Sequence, residues 1–180
     1  MKYIIFVILL CFNQTLFAKD SGYRLTSEDI LNISVWKEEG LQHEVLIRPD
    51  GKITFPLVGT VQAAGYTAEE VKQEITDKLK KYIPEPVVTV SVVKIAGNKI
   101  YVVGKVNRPG EYVVGRYIDV MQVLALAGGV TPYASTGNIK IIRREEGTQK
   151  VFTFEYDDVK SGEKLEQNIL LQAGDSVIVP

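Results

Sequence analysis

The stretch from Gly65 to Pro86, GYTAEEVKQEITDKLKKYIPEP, constrains the fold more than any other. Its apolar residues Ala68, Val71, Ile75, Leu79 and Tyr82 recur at helical spacing and make one stripe. Thr67 stands at the N-cap with Glu70 three residues on, a capping box, and Tyr66 and Val71 occupy the two seats of a hydrophobic staple. Pro84 and Pro86 end the helix, because a residue before proline disfavours helical backbone angles. A helix with one apolar stripe has to lay that stripe on something. The rest of the chain offers mainly strands.

DILNISVWK alternates Leu31, Ile33 and Val35 with Asn32 and Ser34, the period of a half-buried strand. EVLIRPDGKITFPLVGTV reads as a hairpin around Pro49-Asp50-Gly51. VVTVSVVKI puts Val88, Val90 and Val92 on one face. Gly97 to Lys99 is a turn, and beyond it a second unit begins. IYVVGKV and EYVV are strands around an Asn107-Arg108-Pro109-Gly110 turn. IDVMQVLALAGG is a short helix stopped by Gly128. NIKIIRREEGTQKVFTFEY is a hairpin turning at Glu146-Gly147-Thr148, and LLQAGDSVIVP turns at Gly174 into a last strand. The expected class is α+β, with two small units at 22–95 and 97–180 packing on each other or on other subunits.

Residues 1–18 read as a cleavable leader: Lys2 as the positive flank, an apolar run from Tyr3 to Phe12, then Ala18 at the cut. Cys11, the single cysteine, lies inside that run. Leu10 precedes it where a lipoprotein acceptor wants a small residue, so it is expected to leave with the leader, with lipidation as the other reading. The mature chain then has no cysteine for a disulfide, 20 basic and 22 acidic residues, and a charge near −2. With no long basic run, nothing draws it to nucleic acid. KLKKY at Lys78 to Tyr82, the densest positive patch, sits among acids and reads as a solvated helix face.

Reactive constellations do not emerge. His43 is the only histidine, which argues against a catalytic triad and against a zinc site. Glu38, Glu39, His43 and Glu44 lack metal-ligand spacing, and Asp157-Asp158 reads as a solvated turn. GKVNRPG lacks the spacing of a phosphate loop. Trp36 ends a strand, and core or interface packing is expected of it ahead of sugar stacking. No cofactor or metal is expected, and the residues alone give a secreted non-enzyme.

Two segments carry a resemblance. YRL…DIL.I.VW followed by V.I.PDG.I.FPLVG.V.AAG.T..E resembles the export domain of the bacterial polysaccharide biosynthesis/export family. YVVGKVNRPGEYVV, LALAGGVT and GDSVIVP resemble the soluble-ligand-binding β-grasp (SLBB) module that follows it there. The fold implied is a mixed sheet with one long helix, then a β-grasp domain. One departure stands out: Ser27-Glu28 precede Asp29 where the family usually has Pro-Gly. The chain also ends at Pro180, directly after the last strand, so a short form without the family's C-terminal membrane helix is expected.

The resemblance implies a periplasmic, outer-membrane-associated, non-enzymatic subunit that guides exopolysaccharide or capsule through a homo-oligomeric ring, often an octamer in relatives. Its implied partners are the polysaccharide, an inner-membrane chain-length regulator or co-polymerase and an outer-membrane β-barrel porin. The other reading is a periplasmic carbohydrate-binding accessory working beside a separate porin. Lys105, Arg108 and Arg116 are the candidates for contact with an anionic polymer, with Pro109 and Gly110 shaping the turn and Trp36 as a glycan or subunit contact.

Overall fold

The computed structural model describes residues 22–145 and 147–180; the leader, Cys11 and Glu146 lie outside the described residues. The N-terminal part contains strands β1 (Ile30–Val35), β2 (Gln42–Leu46), β3 (Lys52–Phe55) and β4 (Gly59–Gln62), helix α1 (Ala68–Leu79) and strand β5 (Val88–Lys94). β1 is central in an antiparallel three-stranded sheet of order β2-β1-β5, and β3 pairs with β4 alone. Leu31, Ile33 and Val35 point inward as their alternation predicts.

α1 begins as its sequence dictates. The Thr67 hydroxyl accepts from Glu70 N–H at 3.2 Å, and the Glu70 carboxylate accepts from Thr67 N–H at 2.6 Å. Val71, Ile75 and Leu79 are buried with Leu25, Ile47, Ile53 and Phe55, each apolar side chain contributing about 1.5–3 kcal/mol. The helix stops at Leu79, so Tyr82 falls past its end and is exposed, as is Tyr66. The apolar stripe is thus shorter at its C-terminal end than the spacing predicts, and the Tyr66 seat of the staple lies open.

The hairpin expected around Pro49-Asp50-Gly51 does not form as a ladder. A turn is there, with Gly51 N–H on the Arg48 carbonyl at 2.8 Å and Gly51 at φ +76°. But β2 spends its hydrogen bonds on β1, and the hairpin falls one turn later, between β3 and β4. That later turn runs from Pro56 to Gly59 and holds Leu57, directly after the proline, at φ +64° and Gly59 at φ +77°.

The C-terminal part contains β6 (Lys99–Gly104), β7 (Gly110–Val113), α2 (Val120–Leu126), β8 (Ile139–Glu145), β9 (Thr148–Phe154), α3 (Tyr156–Ser161) and β10 (Ser176–Val179). They build one five-stranded sheet of order β7-β6-β10-β8-β9. β10, last in sequence, is in the middle, parallel to β6 and antiparallel to β8. The α+β class therefore holds. The first part's ladders are antiparallel throughout, and the pair that makes a sheet mixed lies in the second part. Ile100, Val102, Val123, Leu124, Ile141, Phe154 and Val177 belong to a second core separate from the first.

Asp29, fully buried, ties the two cores together. Its Oδ2 accepts from Tyr23 OH (2.8 Å), Thr26 N–H (2.9 Å) and the Thr26 hydroxyl (3.1 Å), and its Oδ1 from the N–H groups of Ala96 (2.9 Å) and Gly97 (3.0 Å). The linker is thus hydrogen-bonded to the N-terminal segment. A Cβ on Gly97 would lie 1.7 Å from the Ser27 carbonyl oxygen, so only glycine fits. Glu28 pairs with Lys99 at 2.6 Å across the joint. Asp29 N–H reaches back to the Thr26 carbonyl at 3.2 Å, closing a turn in which Glu28 sits at φ +76°. That is the seat that Gly takes in the Pro-Gly pattern, and a non-glycine residue there costs about 1–2 kcal/mol.

Candidate functional site

The Asn107-Arg108-Pro109-Gly110 turn does local work: it caps α2. The last carbonyls of a helix have no partner inside it. α2 ends with Gly128 at φ +78°; Gly128 N–H bonds the Ala125 carbonyl at 3.0 Å and Gly129 N–H the Leu124 carbonyl at 2.8 Å, the Schellman pairing. The turn supplies the rest. Arg108 Nη2 donates to the Leu126 carbonyl at 2.9 Å and Arg108 N–H to Ala127 at 2.8 Å. Asn107 Nδ2 donates to Gly128 at 2.6 Å and Asn107 N–H to Gly129 at 3.0 Å. Four consecutive carbonyls are satisfied by two residues, and a guanidinium rests at the negative end of the helix. Tyr112 OH donates to the Arg108 carbonyl and holds the turn from the other side.

This docking opens a groove of about 550 Å³. Arg108 and Leu126 lie in it with Val113 at the end of β7, Gly115 and Arg116 of the chain that follows, and Gln122 of α2. Gln122 is fixed by its own capping box: its N–H donates to Asp119 Oδ1 at 2.8 Å, and its Oε1 accepts from Asp119 N–H at 3.2 Å. The structure thus brings Arg108 and Arg116 into one groove. No acidic side chain lines it, and the Arg116 guanidinium has no acidic partner among the described residues. An unpaired guanidinium beside a second one, with apolar walls, suits a carboxylate or phosphate carried on a less polar ring.

The other candidates lie elsewhere. Lys105 is exposed and outside the groove; its backbone bonds Val179 and Thr131. Pro109 and Gly110 are exposed at the outer edge of the turn. Trp36 belongs to the other core's side of the molecule and is 71% exposed, which excludes core packing and leaves interface packing of the two roles expected from its strand position. It stands in a shallow cleft with Lys37, Glu38, Glu39 and Val87. His43 is on strand β2, its ring edge-on to Phe55 at 6.0 Å and its Nε2 3.0 Å from the Gly40 carbonyl. Among the described residues no group of three or more His, Cys, Asp or Glu is arranged to hold a metal. Asp157 accepts from Thr136 and Asp158 from Lys164, so the acid pair opens α3 as a structural element.

Two buried acids escaped sequence reasoning. Asp29 is one. Asp175 is the other: Arg143 Nε donates to Oδ1 at 3.0 Å and Nη2 to Oδ2 at 2.7 Å, with Nη2 also reaching the Leu170 carbonyl at 2.9 Å. Arg143 further lies over the Phe152 ring at 5.2 Å. A signal was present, since Arg143 follows Ile139 and Ile141 in the inward phase of an alternating strand, where a charge needs a buried partner.

Fold and groove define a two-domain protein with a cationic groove, with buried charges committed to structure. Comparison with known proteins makes the class definite. Residues 18–93 match the polysaccharide biosynthesis/export protein model, and residues 98–179 match the SLBB domain model. The chain belongs to the polysaccharide biosynthesis/export family, with an export domain followed by an SLBB domain. It is 29% identical to the EPS I polysaccharide export outer membrane protein EpsA of Ralstonia nicotianae over 91% of this chain and 49% of the relative. It is 30% identical to the capsule polysaccharide export protein BexD of Haemophilus influenzae over 83% of this chain and 41% of that one. With the Neisseria meningitidis capsule polysaccharide export outer membrane protein CtrA the identity is 26% over 92% and 46%. The chain thus spans about half the length of these curated relatives. Family and relatives alike are named as export proteins, not enzymes.

Proposed function

We propose that this chain is a non-enzymatic subunit of an exopolysaccharide or capsule export machine, working in the periplasm against the outer membrane. It acts as a wall segment of a homo-oligomeric ring around the moving polymer, between an inner-membrane chain-length regulator and the exit, whether that exit is its own ring or a β-barrel porin. The observation that carries this reading is the order of two domains matched to export and SLBB models, in a chain similar to outer-membrane polysaccharide export proteins. No helix among the described residues is long and apolar enough to cross a membrane.

The groove of Arg108 and Arg116 is the proposed polymer contact. A transported chain must be held loosely, so two exposed guanidinium groups screened by water serve better than a buried clamp. Arg108 also caps α2, which leaves Arg116 as the residue free to touch cargo. The test is Arg116→Glu in the chromosomal copy, with surface and periplasmic polysaccharide measured separately. Polymer retained in the periplasm while the protein keeps its abundance supports the groove. Unchanged surface polymer removes the groove from the account. Saturable oligosaccharide binding by purified protein with normal export in a deletion strain moves the protein to the accessory role.

A further inference from the structure

Among the exposed surfaces outside the groove, two are unlike in kind. A one-sided antiparallel sheet ordinarily shows water a polar face. On the five-stranded mixed sheet that polar face is interrupted. Its outer face carries an apolar band set by the cross-strand register. Glu111, Tyr101, Ser176, Ile142 and Val151 lie in one row, with Glu111 at the β7 edge 3.9 Å from Lys99, and Val103, Ile178 and Lys140 lie in the next. Tyr101 is 38% exposed, Val103 45% and Val151 57%. Lys140 and Arg144 flank the band on the same face, two residues either side of Ile142, and neither has an acidic partner among the described residues. A hollow of about 320 Å³ lies between Tyr101, Ile142, Arg144 and Gln149.

The second surface is on the export domain. Trp36 and the exposed Val87 are joined by a 2.9 Å hydrogen bond from Trp36 N–H to the Val87 carbonyl, so the indole projects from a fixed base. Glu38 and Glu39 share its cleft, and Glu44 lies on the outward face of β2, two residues along from Gln42, which lines the same cleft. None of the three has a basic partner among the described residues, and against them stands one ammonium, Lys37.

One surface is apolar and positive with a hollow; the other is apolar and negative with a projecting ring. Unlike, complementary patches on one chain make a head-to-tail contact, which closes into a ring where the rotation allows. Trp and Arg in a central pocket are also the residue types that dominate interface energy. We infer that Trp36 of one copy seats in the Tyr101–Ile142–Arg144 hollow of the next, with Glu38, Glu39 and Glu44 opposite Lys140 and Arg144. This rests on the ring reading and goes past it by naming the surfaces that meet. A glycan is the less suited occupant of the sheet face, because the band is mainly aliphatic, with Tyr101 its single ring among the described residues, where a sugar wants grouped hydrogen-bond partners.

The test is charge exchange in the full mature chain, with mass followed by analytical ultracentrifugation across concentration and folding checked by circular dichroism. Glu38→Lys with Glu39→Lys, and separately Lys140→Glu with Arg144→Glu, are each expected to weaken self-association at least about tenfold, the effect of roughly 1.4 kcal/mol. Combining all four should bring it back to within about threefold of wild type. Trp36→Ala should weaken it as much as either reversal. Wild-type assembly untouched by the reversals, or no recovery in the combination, overturns the surface assignment and leaves the ring reading standing. A wild-type chain that stays monomeric at every concentration and in envelope extracts overturns both. Trp36→Ala that leaves mass unchanged and abolishes oligosaccharide binding makes Trp36 a sugar platform and overturns the interface.

Discussion

Replacing Asp29 with alanine tests the joint between the domains. The carboxylate accepts from five donors, two of them hydroxyls that can turn elsewhere. The N–H groups of Thr26, Ala96 and Gly97 cannot turn. Each, left without a partner in a dry site, costs about 1–3 kcal/mol. The joint borders an interdomain cleft of about 440 Å³, from which water reaches part of it. The expected loss is therefore at the low end for three donors, about 3–5 kcal/mol, against a total stability on the order of 5–15 kcal/mol. Asp29→Asn keeps one oxygen as acceptor but aims an NH2 group at the other donors, so about 2–3 kcal/mol is expected. The assay is urea unfolding by circular dichroism, together with amide exchange at Ala96 and Gly97. In the alanine variant the midpoint should fall, the two amides should lose protection, and the transition should broaden or split as the domains uncouple. A loss under about 1 kcal/mol with Ala96 and Gly97 still protected would refute the reasoning, because the donors would then have another acceptor.

Other perturbations separate local effects. Gly97→Ala should cost more than about 3 kcal/mol or yield insoluble protein, since its Cβ has nowhere to go beside Ser27; a melting temperature near wild type contradicts the close approach. Glu28→Gly should stabilise by up to about 1 kcal/mol, relief of positive φ outweighing an exposed ion pair to Lys99, and a lower melting temperature would show that the pair matters more. Asn107→Ala removes a capping hydrogen bond at the end of α2 and should cost about 0.5–1.5 kcal/mol; full protection of the Gly128 and Gly129 amides with no loss of stability counts against the cap. Burial pushes the Tyr23 phenol above the ordinary tyrosine range, with Thr26 pulling the other way and Asp29 reinforcing the rise. Its protonated form favours the folded state, so that stability is complete below about pH 10 and is lost as pH climbs through the folded value. The urea midpoint of wild type should fall more steeply above about pH 10 than that of Tyr23→Phe, and parallel curves would contradict this.

The parts legible in the sequence were those fixed by local chemistry. The capping box at Thr67 and Glu70, the helix stop at Gly128 and the inward phase of Leu31, Ile33 and Val35 all formed as read. What escaped depends on which segments meet. Choosing between β1 and β3 as the partner of β2 is a tertiary matter, because Pro49-Asp50-Gly51 makes the same turn in either case. The central seat of β10 beside β6 is likewise invisible in a chain where those strands are over seventy residues apart. α3 is too short for its period to show against the flanking polar residues. In the site, the two arginines were picked out by charge and by the turn beside them. Their convergence on one groove needed the helix that Arg108 caps. For Trp36 the sequence leaves core and interface packing open, because strand alternation ends at Val35 and a residue past the end of the pattern has no phase to follow; its exposure removes the core alternative.

The central claim is that this chain moves sugars by shape, as part of a wall and without reacting with them. Deleting it and weighing cell-surface against periplasmic polysaccharide in the same cells tests that most directly. The account predicts that surface polymer collapses while polymer builds up inside the envelope, and that the wild-type copy restores the balance. Surface polysaccharide of normal amount and length in the deletion strain would contradict it.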